Sequence, residues 1–280
     1  MITLPSLFLS HGAPTFALEP GRAGPLLTAM GERIPRPRAI LVASAHWMTR
    51  GVEVSSAKQP ETIHDFGGFP SALYRILYSA PGAPDVAAEV IELLRSHGVT
   101  ATAKPDQGLD HGAWVPLLHL FPKADIPTLQ ISMPALGTPK SFVEFGARLS
   151  KLRREGVLVV GSGSITHNLG EFRGGSGSDA PYVTEFCAWI ADRIADGDLA
   201  SLLDYRRLAP HAVRAHPTDE HLMPLFVALG AAGVGLKDAL RVDGGIANGV
   251  LGMDSYVFGA SALKPIHHAS AQRQPEKEFA

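Results

Sequence analysis

Thiol chemistry is almost absent from this 280-residue chain, whose single cysteine is Cys187. One cysteine excludes an intramolecular disulfide framework and any multi-thiolate metal site, and it fits a reducing compartment, the cytoplasm. Cys187 stands in the helical pattern TEFCAWIADRI, where it reads as a small buried hydrophobe and not as a nucleophile. Excess charge is missing too: 25 Lys and Arg stand against 27 Asp and Glu, for a formal net charge of -2. No basic stripe is available to neutralise phosphates and no polybasic segment to hold anionic lipid, so neither nucleic acid nor membrane is an expected partner. No run reaches the roughly 18 apolar residues that a membrane span needs. The N-terminus, MITLPSLFLSHG, lacks a cationic leader and its apolar run is broken by Pro5, Ser6 and Ser10, so it reads as a first strand and not as a secretion signal.

What the chain does contain is core material, 45% hydrophobic residues, arranged as short apolar runs alternating with segments of helical period. That alternation predicts an α/β fold, a single domain with a central, largely buried sheet flanked by helices. Strands are expected at residues 7–10, 39–45, 52–56, 128–132, 157–161 and 256–258. Helices are expected at 24–33, 84–97, 114–120, 139–155, 181–195 and 219–229. Proline at the first turn supports the starts at Pro139 and Pro181, and Thr218 followed by acidic residues supports the last one. No repeat or linker divides the chain, so residues 1–263 are expected to form one catalytic domain. GGSGSD at 174–179 reads as a surface loop, and 264–280 as a flexible C-terminal tail.

The histidines, 12 in all, are unevenly placed. Five sit beside glycine or small residues at expected strand or loop ends: His11 in LFLSHGAP, His46 in VASAHW, His64 in TIHDFGGFP, His111 in GLDHGAW and His167 in GSITHNLG. A lone histidine in such a place is usually a hydrogen-bonded structural residue. Several leaving neighbouring strands are another matter, because the carboxyl ends of strands in an open α/β sheet are where ligands bind. Neutral imidazoles without thiolates suit Fe(II), Mn(II) or Zn(II), and Asp65, Asp110, Asp219 and Glu220 are carboxylates able to complete a site. His216 and His221 are five residues apart, a spacing that does not share a face on a helix, so they are not expected to hold one ion together. Other chemistries fit poorly. Gly161-Ser162-Gly163-Ser164 follows a strand but lacks the P-loop lysine, the glycine spacing of a dinucleotide site and the second glycine of a hydrolase elbow.

The ordered words LFLSHGAP, ILVASAHWMTRGVEVS, TIHDFGGFPSALY, GLDHGAWVPL, LVVGSGSITHNL and PTDEHLMPLFVALGA resemble the class III extradiol ring-cleaving dioxygenases, in the branch similar to the 4,5-DOPA extradiol dioxygenases, over about residues 6 to 260. The resemblance implies a non-haem Fe(II) enzyme that opens a catechol ring beside its two hydroxyls with O2, giving a muconic semialdehyde. By motif it implies His11, His46 and His221 as metal ligands, His167 as a further ligand or the acid/base, and His111 as a catalytic histidine near the substrate. Where many class III enzymes complete the metal triad with glutamate, this branch has histidine, with Glu220 next to it as a minor candidate. Zinc fits the same donors and outranks ferrous iron in intrinsic affinity.

Around that centre, His64, Asp65, Phe66, Phe69 and Trp47 are candidate substrate-binding residues. Phe66 and Phe69 are placed to stack on an aromatic ring, His64 and Asp65 to orient the ligands, and Trp47 to hold the His46 rotamer and keep the site dry. Two rival readings are a zinc hydrolase on the same scaffold and a non-catalytic metal-binding protein. Homo-oligomerisation is left open by the sequence.

Overall fold

The four longest strands occupy the middle of the sheet, where both faces are covered and alternation gives way to nearly continuous burial. They are β1 (Ser6–Ser10), β2 (Ala39–Thr49), β5 (Thr128–Pro134) and β6 (Val157–Gly163). In this computed structural model, which describes residues 3–172, 178–233 and 236–265, they run parallel as β5-β2-β6-β1. β3 (Val52–Ser55) and β4 (Ala101–Lys104) extend one side, and β10 (Ser255–Phe258) and β7 (Ala239–Val242) the other. β3 and β10 join antiparallel, so the sheet is mixed. A small hairpin of β8 (Ile246–Ala247) and β9 (Leu251–Gly252) stands apart.

Helices cover both faces. They are α1 (Ala23–Arg33), α2 (Pro84–Ser96), α3 (His111–Leu120), α4 (Pro139–Arg148), α5 (Ser150–Arg154), α6 (Pro181–Asp196), the short α7 (Leu199–Leu203), α8 (Tyr205–Leu208) and α9 (Ala212–Ala215), and α10 (Met223–Ala232). Every residue of α10 is buried, which its all-round apolar sequence MPLFVALGAA demands. It packs on α4, β6 and β1, while α3 packs on α1 and β2. The fold class is thus the expected one: a single α/β domain with a large central mixed sheet between helices.

Several element bounds differ from expectation. β4 (ATAK) and β7 (ALRV) are edge strands, only partly buried and without a long apolar run to announce them. The helix expected at 139–155 breaks at Leu149, whose N–H turns back to Ala147 and Gly146 carbonyls and tightens the last turn. The helix expected to start at Asp219 starts at Met223, with Pro224 in its first turn, so His221 lies in the preceding turn and not on a helix. α3 begins at His111 and not Trp114, because the Asp110 carboxylate caps it by accepting the Ala113 N–H. β2 runs past His46 to Thr49, so His46 is within a strand and not after one. Residues 174–177 of the expected surface loop and 266–280 of the expected tail lie outside the described residues.

Candidate metal centre

His11 follows β1 directly and is fully buried, its N–H bonded to the Gly163 carbonyl at the end of β6 (2.9 Å). His46 leaves β2 where its register against β5 shifts between Ala43 and Met48, an irregularity of the kind that re-aims a side chain beside an active site. His221 comes across the end of β6, its carbonyl accepting the Ser164 N–H (2.8 Å). A Cβ on Gly163 would overlap that carbonyl oxygen, so the close approach requires glycine. The glycines of GSGS are therefore explained by packing and not by phosphate binding.

These placements bring three Nε2 atoms together: His11 to His46 at 3.1 Å and His46 to His221 at 3.4 Å. The far nitrogens of two rings are already engaged, His11 Nδ1 with Ser162 Oγ (3.0 Å) and His221 Nδ1 with Glu220 Oε1 (3.0 Å). The Nε2 atoms consequently face one another. Burial, followed by the neighbouring imidazoles, lowers the pKa values of His11 and His46, and burial lowers that of His221 against the opposing pull of Glu220. The rings are neutral near pH 7, as metal ligands must be. With metal–nitrogen bonds of about 2.1 Å, ligand angles from about 90° to tetrahedral separate donors by about 3.0 to 3.4 Å, the spacing seen here. The residues fit a nitrogen-ligated divalent ion.

A second layer fixes this arrangement. Asp65 Oδ1 accepts the His111 N–H (2.9 Å), lies 2.9 Å from His111 Nδ1, off the line of a hydrogen bond, and Asp65 Oδ2 is 3.9 Å from His46 Nδ1. The His111 and His46 ring centroids are 4.0 Å apart. Asp110, 4% exposed, accepts from Ser44 Oγ (2.8 Å), the Ala113 N–H (3.0 Å) and Gln130 Nε2 (2.7 Å), which ties β2, β5 and α3 into one node. Burial raises its pKa against the hydrogen bonds from Gln130 and Ser44. A Cβ on Gly112 would overlap Ser44 Oγ, which accounts for the glycine of the DHG word.

The remaining expected residues divide. His167 lies in the loop after β6, anchored by its N–H to the Ala215 carbonyl (2.8 Å), with its ring laid parallel on that of His221; burial, then His221, lowers its pKa to about 3. Phe66 stands edge-on to His111 at 5.6 Å and to Phe69 at 5.5 Å. His64 points elsewhere, bonding the Ile76 carbonyl (3.1 Å) and packing on Trp114, so it does not orient the imidazole cluster. Trp47 is buried but makes no ring contact with the clustered histidines among the described residues, and so does not hold the His46 rotamer by stacking. Asp219 is taken by Tyr205 (2.7 Å) and Arg206 (2.7 Å), away from the cluster, and His216 bonds the Ile165 carbonyl (2.7 Å). Ser162, Ser44 and Gln130 escaped the sequence reading, because small polar residues in strands carry no spacing signal.

Imidazoles converging at the carboxyl ends of parallel strands form a donor set able to hold a metal ion on an α/β sheet. The sequence matches the family model of the catalytic LigB subunit of aromatic ring-opening dioxygenase over residues 6–250. The chain belongs to this family of metal-dependent oxidoreductases, the extradiol ring-cleaving dioxygenases, as the resemblance implied. It is 38% identical over 257 residues to a 4,5-DOPA dioxygenase extradiol of Beta vulgaris, covering 90% of this chain and 96% of that protein. It is 39% identical over 235 residues to one of Escherichia coli K12, covering 81% and 85%. The crystal structure of an uncharacterized Escherichia coli K12 protein superposes with a TM-score of 0.74 at 31% identity, covering 91% of this chain and all of that one. Among the described residues no helix is long and apolar enough to cross a membrane.

Proposed function

We propose that the protein opens a catechol-type ring with O2 next to its two hydroxyls, giving a muconic semialdehyde-type product, with Fe(II) held by His11, His46 and His221. The observation that carries this reading is the convergence of those three Nε2 atoms with two further histidine rings, His111 and His167, beside them. Ferrous iron held by these three histidines would supply Lewis-acid and one-electron redox chemistry. The protein supplies the rest. His111, held by Asp65 at its backbone and beside its Nδ1, keeps Nε2 for the proton of the second catechol hydroxyl. His167 is the acid/base on the opposite side, neutral through burial and able to take up a proton as charge develops. Phe66, with Phe69 behind it, offers an aromatic edge to the substrate ring next to His111. The names of the Beta vulgaris and Escherichia coli relatives support a 3,4-dihydroxyphenyl compound such as DOPA as the first substrate to try.

The test is anaerobic reconstitution of metal-free protein with Fe(II) and, separately, Zn(II), followed by DOPA, protocatechuate and alkylcatechols in air. Iron-dependent O2 uptake with a yellow ring-opened product is expected. Silence across the panel with iron bound, or hydrolytic activity with zinc alone, overturns the reading.

A further inference from the structure

His11 has a choice of tautomer, and only one of the two leaves the Nε2 lone pair free for a metal. The partner of its Nδ1 is the Ser162 hydroxyl (3.0 Å), which has one proton to give and accepts as well. That proton goes to the Gly112 carbonyl. In a helix the Gly112 carbonyl normally accepts the N–H of the residue four positions on, and that residue is Pro116, inside α3, which has no N–H. The proline ring also crowds the carbonyl four residues back and tilts it off the helix axis. Gly112 is buried, so its carbonyl needs a donor from elsewhere, and Ser162 is in place to be that donor.

We infer that Pro116 and Ser162 are positioning residues that set the protonation of His11: the missing N–H at Pro116 frees the Gly112 carbonyl, the carbonyl claims the Ser162 proton, and Ser162 is left to accept from His11 Nδ1–H. The relay spans three elements, α3, β6 and the residue after β1. It makes the metal-facing nitrogen of His11 unprotonated before any ion arrives. Ser162 is well sited for this, since its strand lies between those of His11 and His46, in register with Leu9 and Ser44. The inference rests on the reading of His11 as a metal ligand only for its consequence, not for the hydrogen bonds themselves.

The experiment uses the full chain, labelled with 15N-histidine and freed of metal. Long-range 1H–15N correlation reads the tautomer of each ring, with the His11 signal assigned by its loss in His11→Ala. The wild type is expected to show His11 protonated at Nδ1. Ser162→Ala removes the acceptor, and Pro116→Ala restores an N–H that competes for Gly112, so both are expected to populate the Nε2–H form. Titration with Zn(II) against a chromophoric chelator should then show affinity falling by about 10- to 100-fold for Ser162→Ala, the usual penalty for losing a ligand's outer partner, and by less for Pro116→Ala. If Ser162→Ala does not fold, the wild-type spectrum and Pro116→Ala decide. Protonation at Nε2 in the wild type, or an Nδ1–H tautomer unchanged in the folded variants, overturns the relay. Retention of Zn(II) affinity by His11→Ala instead overturns the ligand role of His11 and leaves the tautomer result standing.

Discussion

The rings of His167 and His221 lie face to face, their centroids 3.4 Å apart and their planes within 8° of parallel. An imidazole binds a metal ion in its own ring plane, so two parallel rings at stacking distance cannot both present a lone pair to one ion. With His221 Nε2 turned toward His46, the stacking supports the proposed acid/base role of His167 over that of a further ligand.

His167→Ala is therefore expected to keep its metal and lose turnover. General acid/base groups are worth about 100- to 10,000-fold, and a fall in kcat of that size at unchanged metal stoichiometry is the anticipated result. Elemental analysis alongside O2-uptake kinetics checks it. Loss of the ion with the activity would place His167 among the ligands.

In the proposed centre Glu220 would act on the metal through His221. Its carboxylate accepts from His221 Nδ1 and from Thr218 Oγ1 (2.9 Å), and the hydrogen bond from His221 lowers its pKa to about 2. Glu220→Gln removes the negative charge that makes His221 a stronger donor. Metal affinity is expected to fall by about 10- to 100-fold with thermal stability nearly unchanged, as read by chelator competition and a melting curve. Were Glu220 itself a ligand, the variant would lose the ion outright.

Gly163→Ala tests the packing that delivers His221. The added methyl meets the His221 carbonyl oxygen, which is backbone and cannot swing aside. Overpacking of this kind costs about 1–3 kcal/mol, and here the turn carrying His221 is what must move. Urea unfolding and Zn(II) titration are expected to show lower stability together with weaker metal binding, whereas a similar cost elsewhere in the core would show only the first.

What could be seen in the sequence followed from what leaves a periodic trace. The central strands are continuous apolar runs and were legible, as was α6, which starts at Pro181 and ends against Gly197 in the left-handed conformation. The histidines at strand ends pointed to one crevice because His11, His46 and the loop of His167 leave adjacent parallel strands. The edge strands β4 and β7 were not legible, since ATAK and ALRV are short and half solvated. Adjacency of Trp47 to His46 in sequence does not bring ring contact with it among the described residues, since neighbours along a strand face opposite ways. His64 looked like its neighbour Asp65 in sequence, yet the one is drawn off to the Ile76 carbonyl and the other to His111. Ser162 leaves no such trace, because its partners, the His11 ring and the Gly112 carbonyl, lie in other elements.

The Asp110 node is the most exacting test of how the site is held, because the substitution that probes it changes almost no volume. Three donors point at its carboxylate: Ser44 Oγ and the Ala113 N–H at Oδ1, and Gln130 Nε2 at Oδ2. Asp110→Asn replaces one accepting oxygen with an NH2 group that accepts nothing. Turned toward Gln130, it meets another NH2. Flipping Gln130 in response would set its NH2 against the Asp110 N–H, which now donates to Gln130 Oε1 (2.9 Å). Turned the other way, the new NH2 faces Ser44 and the helix cap, and at least one buried donor goes unpaired in every arrangement. An unsatisfied buried group costs about 1–3 kcal/mol, so the unfolding midpoint is expected to drop by a corresponding amount. Because Ser44 precedes His46 by two residues on β2 and Asp110 immediately precedes His111, the loss should also loosen the distance between those two rings. Weaker Zn(II) binding and a lower kcat in the same variant are expected, and a variant with wild-type stability and affinity would show that the node carries no part of the geometry.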